Sequence, residues 1–193
     1  MTGLRLPAKR LVGVTAKSAS KSNRVEPALP DSAHSIDSSL REQVLEHLFT
    51  GELLRCLWTR GRKDIEVLRA EVDRGGYDLV LACNGILRHI QLKASYLGAK
   101  TSRVKVHIGL AAKPSGCVIW IRFDPDTLEL GPFHWFGGRP GEPLPSLGDT
   151  VARHTKGDAK GIKSYRANIR VVNGGRFSKL TSITEVAERL FFA

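Results

Sequence analysis

Two strand-length runs, 77–83 and 86–93, are separated by Asn84-Gly85 alone, and that pair restricts the fold more than any other feature of the chain. A two-residue Asn-Gly connection favours positive φ at both positions, giving the primed turn whose twist matches two antiparallel strands. The runs are therefore expected to form a tight hairpin with a fixed register. Farther along, 117–123 contains Val118-Ile119-Trp120-Ile121 and is apolar at nearly every position, which reads as a strand covered on both faces. Before the hairpin, Leu40, Val44, Leu45, Leu48, Leu53, Leu54 and Leu57 recur at helical spacing, which predicts an amphipathic helix ending near Trp58. Ser39-Leu40-Arg41-Glu42 has the spacing of a capping box at its start. Gly51 within it is expected to mark close packing or a kink, at about 1 kcal/mol relative to Ala.

The remaining segments fill in a mixed α/β order without an internal repeat. Residues 65–68 read as a short strand, Gly75-Gly76 as a turn and 128–136 as a strand followed by a Gly/Pro-rich loop at 137–145. A closing helix is expected over 184–191. Segment 101–113 points both ways. Val104, Val106 and Ile108 alternate as in a strand, whereas Leu110-Ala111-Ala112-Lys113 favours helix.

A chain of 193 residues has room for one domain with a sizeable core plus a tail. Residues 1–25 carry six basic side chains and no acidic one, and 26–38 lack apolar periodicity, so 1–38 is expected to be a flexible basic tail before a domain at 39–193. The tail has the basic, acid-poor composition of an organelle transit peptide, but a cytoplasmic, nucleoid-associated location is the expectation. No apolar run approaches the roughly 18 residues that suggest a membrane span. Cys56, Cys83 and Cys117 lack metal-ligand spacing and read as buried thiols.

Thirty Lys and Arg against nineteen Asp and Glu give a net charge of +11, which argues for a polyanionic partner, DNA first. The charge is clustered. Between 151 and 180 lie Arg153, Lys156, Lys160, Lys163, Arg166, Arg170, Arg176 and Lys179 against Asp158 alone, a net +7. These eight are the expected nucleic-acid contacts, made to phosphates and without sequence preference. Phe133, Trp135 and Phe136 nearby could stack bases, although core packing is the expectation.

The hairpin also carries the candidate chemistry. Gln91 and Lys93 lie two apart and project to one face, and folding at Asn84-Gly85 brings Asp78 level with Gln91. Asp78, the Gln91 side-chain oxygen and the Leu92 carbonyl could offer hard oxygen ligands to a divalent cation, with Lys93 beside a phosphate or water. Glu71 and Asp73 are rival acids in the loop upstream. His89 shares the face of Gln91.

This arrangement resembles the PD-(D/E)xK nuclease superfamily, with Asp78 as the first acid, Gln91 in place of the second and Lys93 as the lysine. Tyr77 stands where that family often has Pro. The resemblance covers about 39–123 and implies a restriction-endonuclease-like αβββαβ core, a mixed central sheet flanked by helices, with 124–193 as a basic extension. It implies a helical acid as well, Glu46 first and Glu42 in reserve. The implied activity is Mg²⁺- or Mn²⁺-dependent DNA hydrolysis, the metal held by Glu46, Asp78, Gln91 and Leu92; enzymes of this kind often cut as homodimers. Glutamine at the second acidic position removes one negative charge, though some active members of the family tolerate it. A nuclease-like DNA- or RNA-binding subunit of a larger complex is the alternative. A peripheral membrane protein lacks the basic amphipathic helix it would need.

Overall fold

The computed structural model describes residues 37–70, 72, 74–154 and 164–192. Most of the 1–38 segment, Glu71, Asp73, Lys156, Lys160 and Lys163 lie outside the described residues.

Helix α1, Ser38–Thr59, starts two residues before the first helical position expected after a Ser39 cap and ends one residue past Trp58. Its N-cap is Asp37, without a side-chain cap bond, so Ser39 and Glu42 form no capping box. Both instead line a cavity described below. The C-terminus closes as a Schellman motif. Gly61 sits at φ 79, its amide bonds Trp58 O at 3.0 Å, and the Arg62 amide bonds Leu57 O at 3.0 Å. Gly51 marks neither packing nor a clash, because a Cβ built there meets nothing within 4 Å.

The strands are β1 Glu66–Arg69, β2 Leu79–Cys83, β3 Ile86–Tyr96, β4 Arg103–His107, β5 Gly116–Phe123, β6 Leu130–Gly137, β7 Val151–Arg153, β8 Tyr165–Asn173 and β9 Ser178–Leu180. Helix α2, Ile183–Phe191, closes the described fold. A six-stranded mixed sheet has the order β1-β2-β3-β5-β6-β9 and a three-stranded sheet the order β4-β8-β7. The β3–β5 pair is parallel and the others in the large sheet are antiparallel. The Asn84-Gly85 hairpin forms as its chemistry demands, with φ of 54 and 73 and Cys83 paired to Ile86. At Gly76, φ is 70 and an added Cβ would lie 2.5 Å from His107 Cβ, so both backbone and space require glycine.

A parallel pair requires a crossover between its strands. Here β4 and a 3-10 turn, Ile108–Ala112, occupy that place. The mixed signal in 101–113 thus reflects two short elements, strand then 3-10 turn, and the helical position of the αβββαβ order is held by that single turn.

β5 explains the layering. Cys117, Ile119 and Ile121 pack with Phe49, Leu53, Leu57, Val186 and Leu190 on the face covered by α1 and α2. Val118 and Trp120 pack with Val104, Val106, Leu110, Phe136, Val172 and Phe177 beneath the small sheet. Period-two alternation therefore divides one apolar strand between two cores. Phe133, Trp135 and Phe136 belong to these cores, at 1, 4 and 4% exposure, so packing is their role. The three cysteines are buried and unbridged, and burial pushes the Cys117 thiol up to about 12.

Arg88 is the largest fully buried side chain. It donates to Leu190 O and Arg189 O at 2.8 Å each and to Gly138 O at 3.1 Å. One guanidinium on β3 thus satisfies two terminal carbonyls of α2, groups that a helix leaves without internal partners. Burial pulls its pKa below the ordinary arginine value.

Candidate active site

β3 is longer than β2, and the difference creates the site. The register pairs Leu79 with Ile90, so residues 91–96 of β3 continue past the start of β2. The other side of β3 stays covered by β5 through Tyr96. The Asp78 amide donates to Ile90 O at 2.9 Å, and its Oδ2 accepts the Leu92 amide at 2.6 Å. A side-chain carboxylate therefore receives the ladder donor that lies beyond the end of β2. In an extended strand the N–H and C=O of one residue face the same side. The Leu92 carbonyl accordingly faces the side on which Asp78 lies.

Across this open edge stands α1. A cavity of about 440 Å³ is lined by Ser39, Glu42, Gln43, Leu45 and Glu46 from α1, by Asp78, by Leu92, Lys93 and Ala94 from β3, and by Ile121 from β5. Of the expected site residues, Asp78, Leu92, Lys93, Glu46 and the reserve Glu42 meet here. Glu42 and Glu46 share one helical face because they are four residues apart. Glu46 Oε1 accepts from Arg69 Nε at 2.6 Å, and another Arg69 nitrogen lies 3.0 Å from His47 Nδ1. Arg69 ends β1, and its distance in sequence from Glu46 left no signal of the pairing.

Gln91 stands apart from that cavity lining. It is 5% exposed, and its Oε1 accepts a long 3.4 Å bond from the His107 amide at the end of β4. His89 is held by its Nδ1 at 2.9 Å from Pro114 O and by an edge contact with Tyr77 at 4.9 Å.

Of the described basic residues of 151–180, Arg153, Arg166 and Arg170 lie in the small sheet, Lys179 in the large sheet and Arg176 in the 3-10 turn between β8 and β9. Arg153 and Arg166 pair with Tyr165 and Ala152 across β7 and β8, and Arg170 faces Val106 and Val151. Arg153 donates to the Tyr165 hydroxyl at 2.8 Å, and Arg170 to Ala167 O at 2.7 Å. Arg176 bonds Ser146 O and stacks 5.1 Å over Phe136. Lys179 lies on β9 opposite His134.

A divalent metal cation would fit the donor chemistry. Glu46, Asp78 and the Leu92 carbonyl present only oxygen, the preference of Mg²⁺, which commonly takes one or two carboxylates and retains waters. Among the described residues, no three His, Cys, Asp or Glu side chains group closely enough to hold a metal by themselves. Water and phosphate oxygens would complete such a shell.

Fold and cavity together define a mixed α/β protein with a carboxylate–lysine cleft at the open edge of a central mixed sheet flanked by helices. No protein family and no curated protein matches the chain. A solved structure, that of a bacterial homing endonuclease, is similar over 57% of this chain and 77% of its own, at 24% identity and a TM-score of 0.25. At that similarity, function has to be read from the side chains themselves. Among the described residues no helix is long and apolar enough to cross a membrane.

Proposed function

We propose that this chain is a metal-dependent DNA endonuclease of the PD-(D/E)xK type, hydrolysing phosphodiester bonds by in-line attack of water. The observation that carries the reading is the meeting of Asp78, Glu46, Leu92 and Lys93 around one cavity at the edge of β3. Glu46, Asp78 and the Leu92 carbonyl would hold Mg²⁺ or Mn²⁺, which supplies Lewis acidity toward the phosphoryl oxygen and a more acidic water. Asp78 is oriented by its bond to the Leu92 amide; a carboxylate has about four lone-pair sites, so that bond does not exhaust its capacity. Glu46 is likewise oriented by Arg69. Lys93 orients the attacking water and stabilises charge developing on the phosphate. Gln91 would enter the ligand set only by turning its amide from His107. In the ground state it ties β3 to β4.

The test is cleavage of supercoiled plasmid, single-stranded DNA and branched DNA in Mg²⁺ or Mn²⁺, with EDTA as control. Metal-dependent cleavage lost in Asp78→Ala and Lys93→Ala, with DNA binding retained, supports the reading. Equal cleavage by all three proteins refutes it. A second reading, a nuclease-like DNA- or RNA-binding subunit that does not cut, is favoured by the engagement of Glu46 with Arg69 and of Gln91 with His107. DNA binding in EDTA without cleavage in any divalent metal would select it.

A further inference from the structure

The candidate cavity continues into a second one. A trough of about 380 Å³ shares Glu42, Lys93 and Ala94 with it and extends along β4 to Arg103 and Lys105. Four cations, Arg41, Lys93, Arg103 and Lys105, line this trough against a single acid, Glu42.

The alternation of β4 produces this charge. Val104 and Val106 are 8 and 0% exposed and enter the core beneath the small sheet, which leaves Arg103 and Lys105 on the outer face. At about 3.3 Å per residue, two side chains on one face lie roughly 6.6 Å apart, so each has room for its own phosphate. Their cross-strand partners are neutral, Asn173 for Arg103 and Val171 for Lys105. Among the described residues Lys93, Arg103 and Lys105 form no ion pair with a carboxylate. An excess of like charge, four cations against one carboxylate, favours an anion that spans them. By contrast, Arg153, Arg170 and Arg176 already bond within the fold.

We propose that this trough is the lane along which the DNA backbone reaches the candidate site, with Arg103 and Lys105 contacting successive phosphates and Lys93 at the junction. The inference rests on the nuclease reading of the cavity, and it places the principal phosphate contacts on β4 rather than in 151–180.

Binding of a labelled duplex to the full chain, measured in EDTA across about 50–200 mM salt, tests the lane without requiring cleavage. Each lost phosphate contact lowers the slope of log K against log salt by about 0.9, so Arg103→Ala with Lys105→Ala should lower it by about 1.8. Both positions are exposed, and an unchanged melting temperature will show that the variant folds. Charge reversal, Arg103→Glu with Lys105→Glu, should weaken binding further. In the cleavage assay the alanine pair should raise KM while leaving kcat near wild type. An unchanged slope overturns the lane and leaves the nuclease reading to the plasmid assay. A wild-type chain that binds anionic phospholipid vesicles but no DNA overturns both.

Discussion

Replacing Asp78 by Ala and, separately, by Asn separates its structural role from its proposed chemical one. Its Oδ2 accepts the Leu92 amide at 2.6 Å in a half-buried setting, a short bond of the kind an ionised acceptor makes. Alanine removes the acceptor and leaves that amide beyond the end of β2. Bonds to charged groups contribute about 1.5–3 kcal/mol, so Asp78→Ala should lose about that much stability. For a chain of this size the loss corresponds to about 3–12 °C in Tm. Asparagine keeps an amide oxygen as acceptor and removes a negative charge near Glu42 and Glu46, so its loss should stay below about 1 kcal/mol. Both variants should lose metal-dependent cleavage. Thermal melts in EDTA measure the first effect and plasmid cleavage in Mg²⁺ the second. A third readout is the metal itself. A ligand that binds only the folded state raises stability by about 2.7 kcal/mol at a hundredfold excess over its Kd, a gain expected in wild type and lost in both variants. Equal stability of Ala and Asn variants would refute the anchoring of β3 by Asp78, and undiminished cleavage by Asp78→Asn would refute the site.

Three further outcomes follow from the packing. Gly51→Ala should stabilise the protein by about 1 kcal/mol, seen as a Tm rise of about 2–4 °C, because the helical position is exposed and the new Cβ meets nothing. Arg88→Met should lower stability by about 3–5 kcal/mol in urea titrations, since three carbonyls on two elements lose one shared donor, and Arg88→Lys should not restore them. His134 is held below its usual 6.5 first by burial and then by the Arg122 and Lys179 charges. The unfolded chain therefore takes up this proton first as pH falls, so the histidine's contribution is complete above about 6.5 and is lost progressively below it. His134→Gln should flatten the stability profile between about pH 7 and 5.

The periodic elements were legible because their signals are local. Asn84-Gly85 carries its own turn geometry, the leucines of 40–57 carry a helical stripe, and Val118-Ile119-Trp120-Ile121 announces a strand covered on both faces. The juxtaposition of Asp78 with the 91–93 segment was legible for a related reason: a tight hairpin converts sequence separation into a known register, which places Asp78 opposite Gln91; Glu46 came only from the family resemblance. The apparent capping box at Ser39 and Glu42 failed because the helix is capped two residues earlier, at Asp37. The structural weight of Gly51 was overread because a glycine in sequence does not say whether anything approaches it.

What the sequence by itself determined, then, was the alternation of apolar and polar positions, the turn chemistry and the net charge, all properties of neighbouring residues. Only the tertiary structure decided which faces those elements cover. It ends β2 before β3 and so opens the edge where Asp78, Leu92 and Lys93 meet Glu46. It turns Gln91 to the His107 amide, buries Arg88 against the end of α2 and aligns Arg103 and Lys105 with the cavity. Each of these depends on contacts between residues far apart in the chain, and the energy of such contacts is defined only once packing has fixed their distance and excluded water.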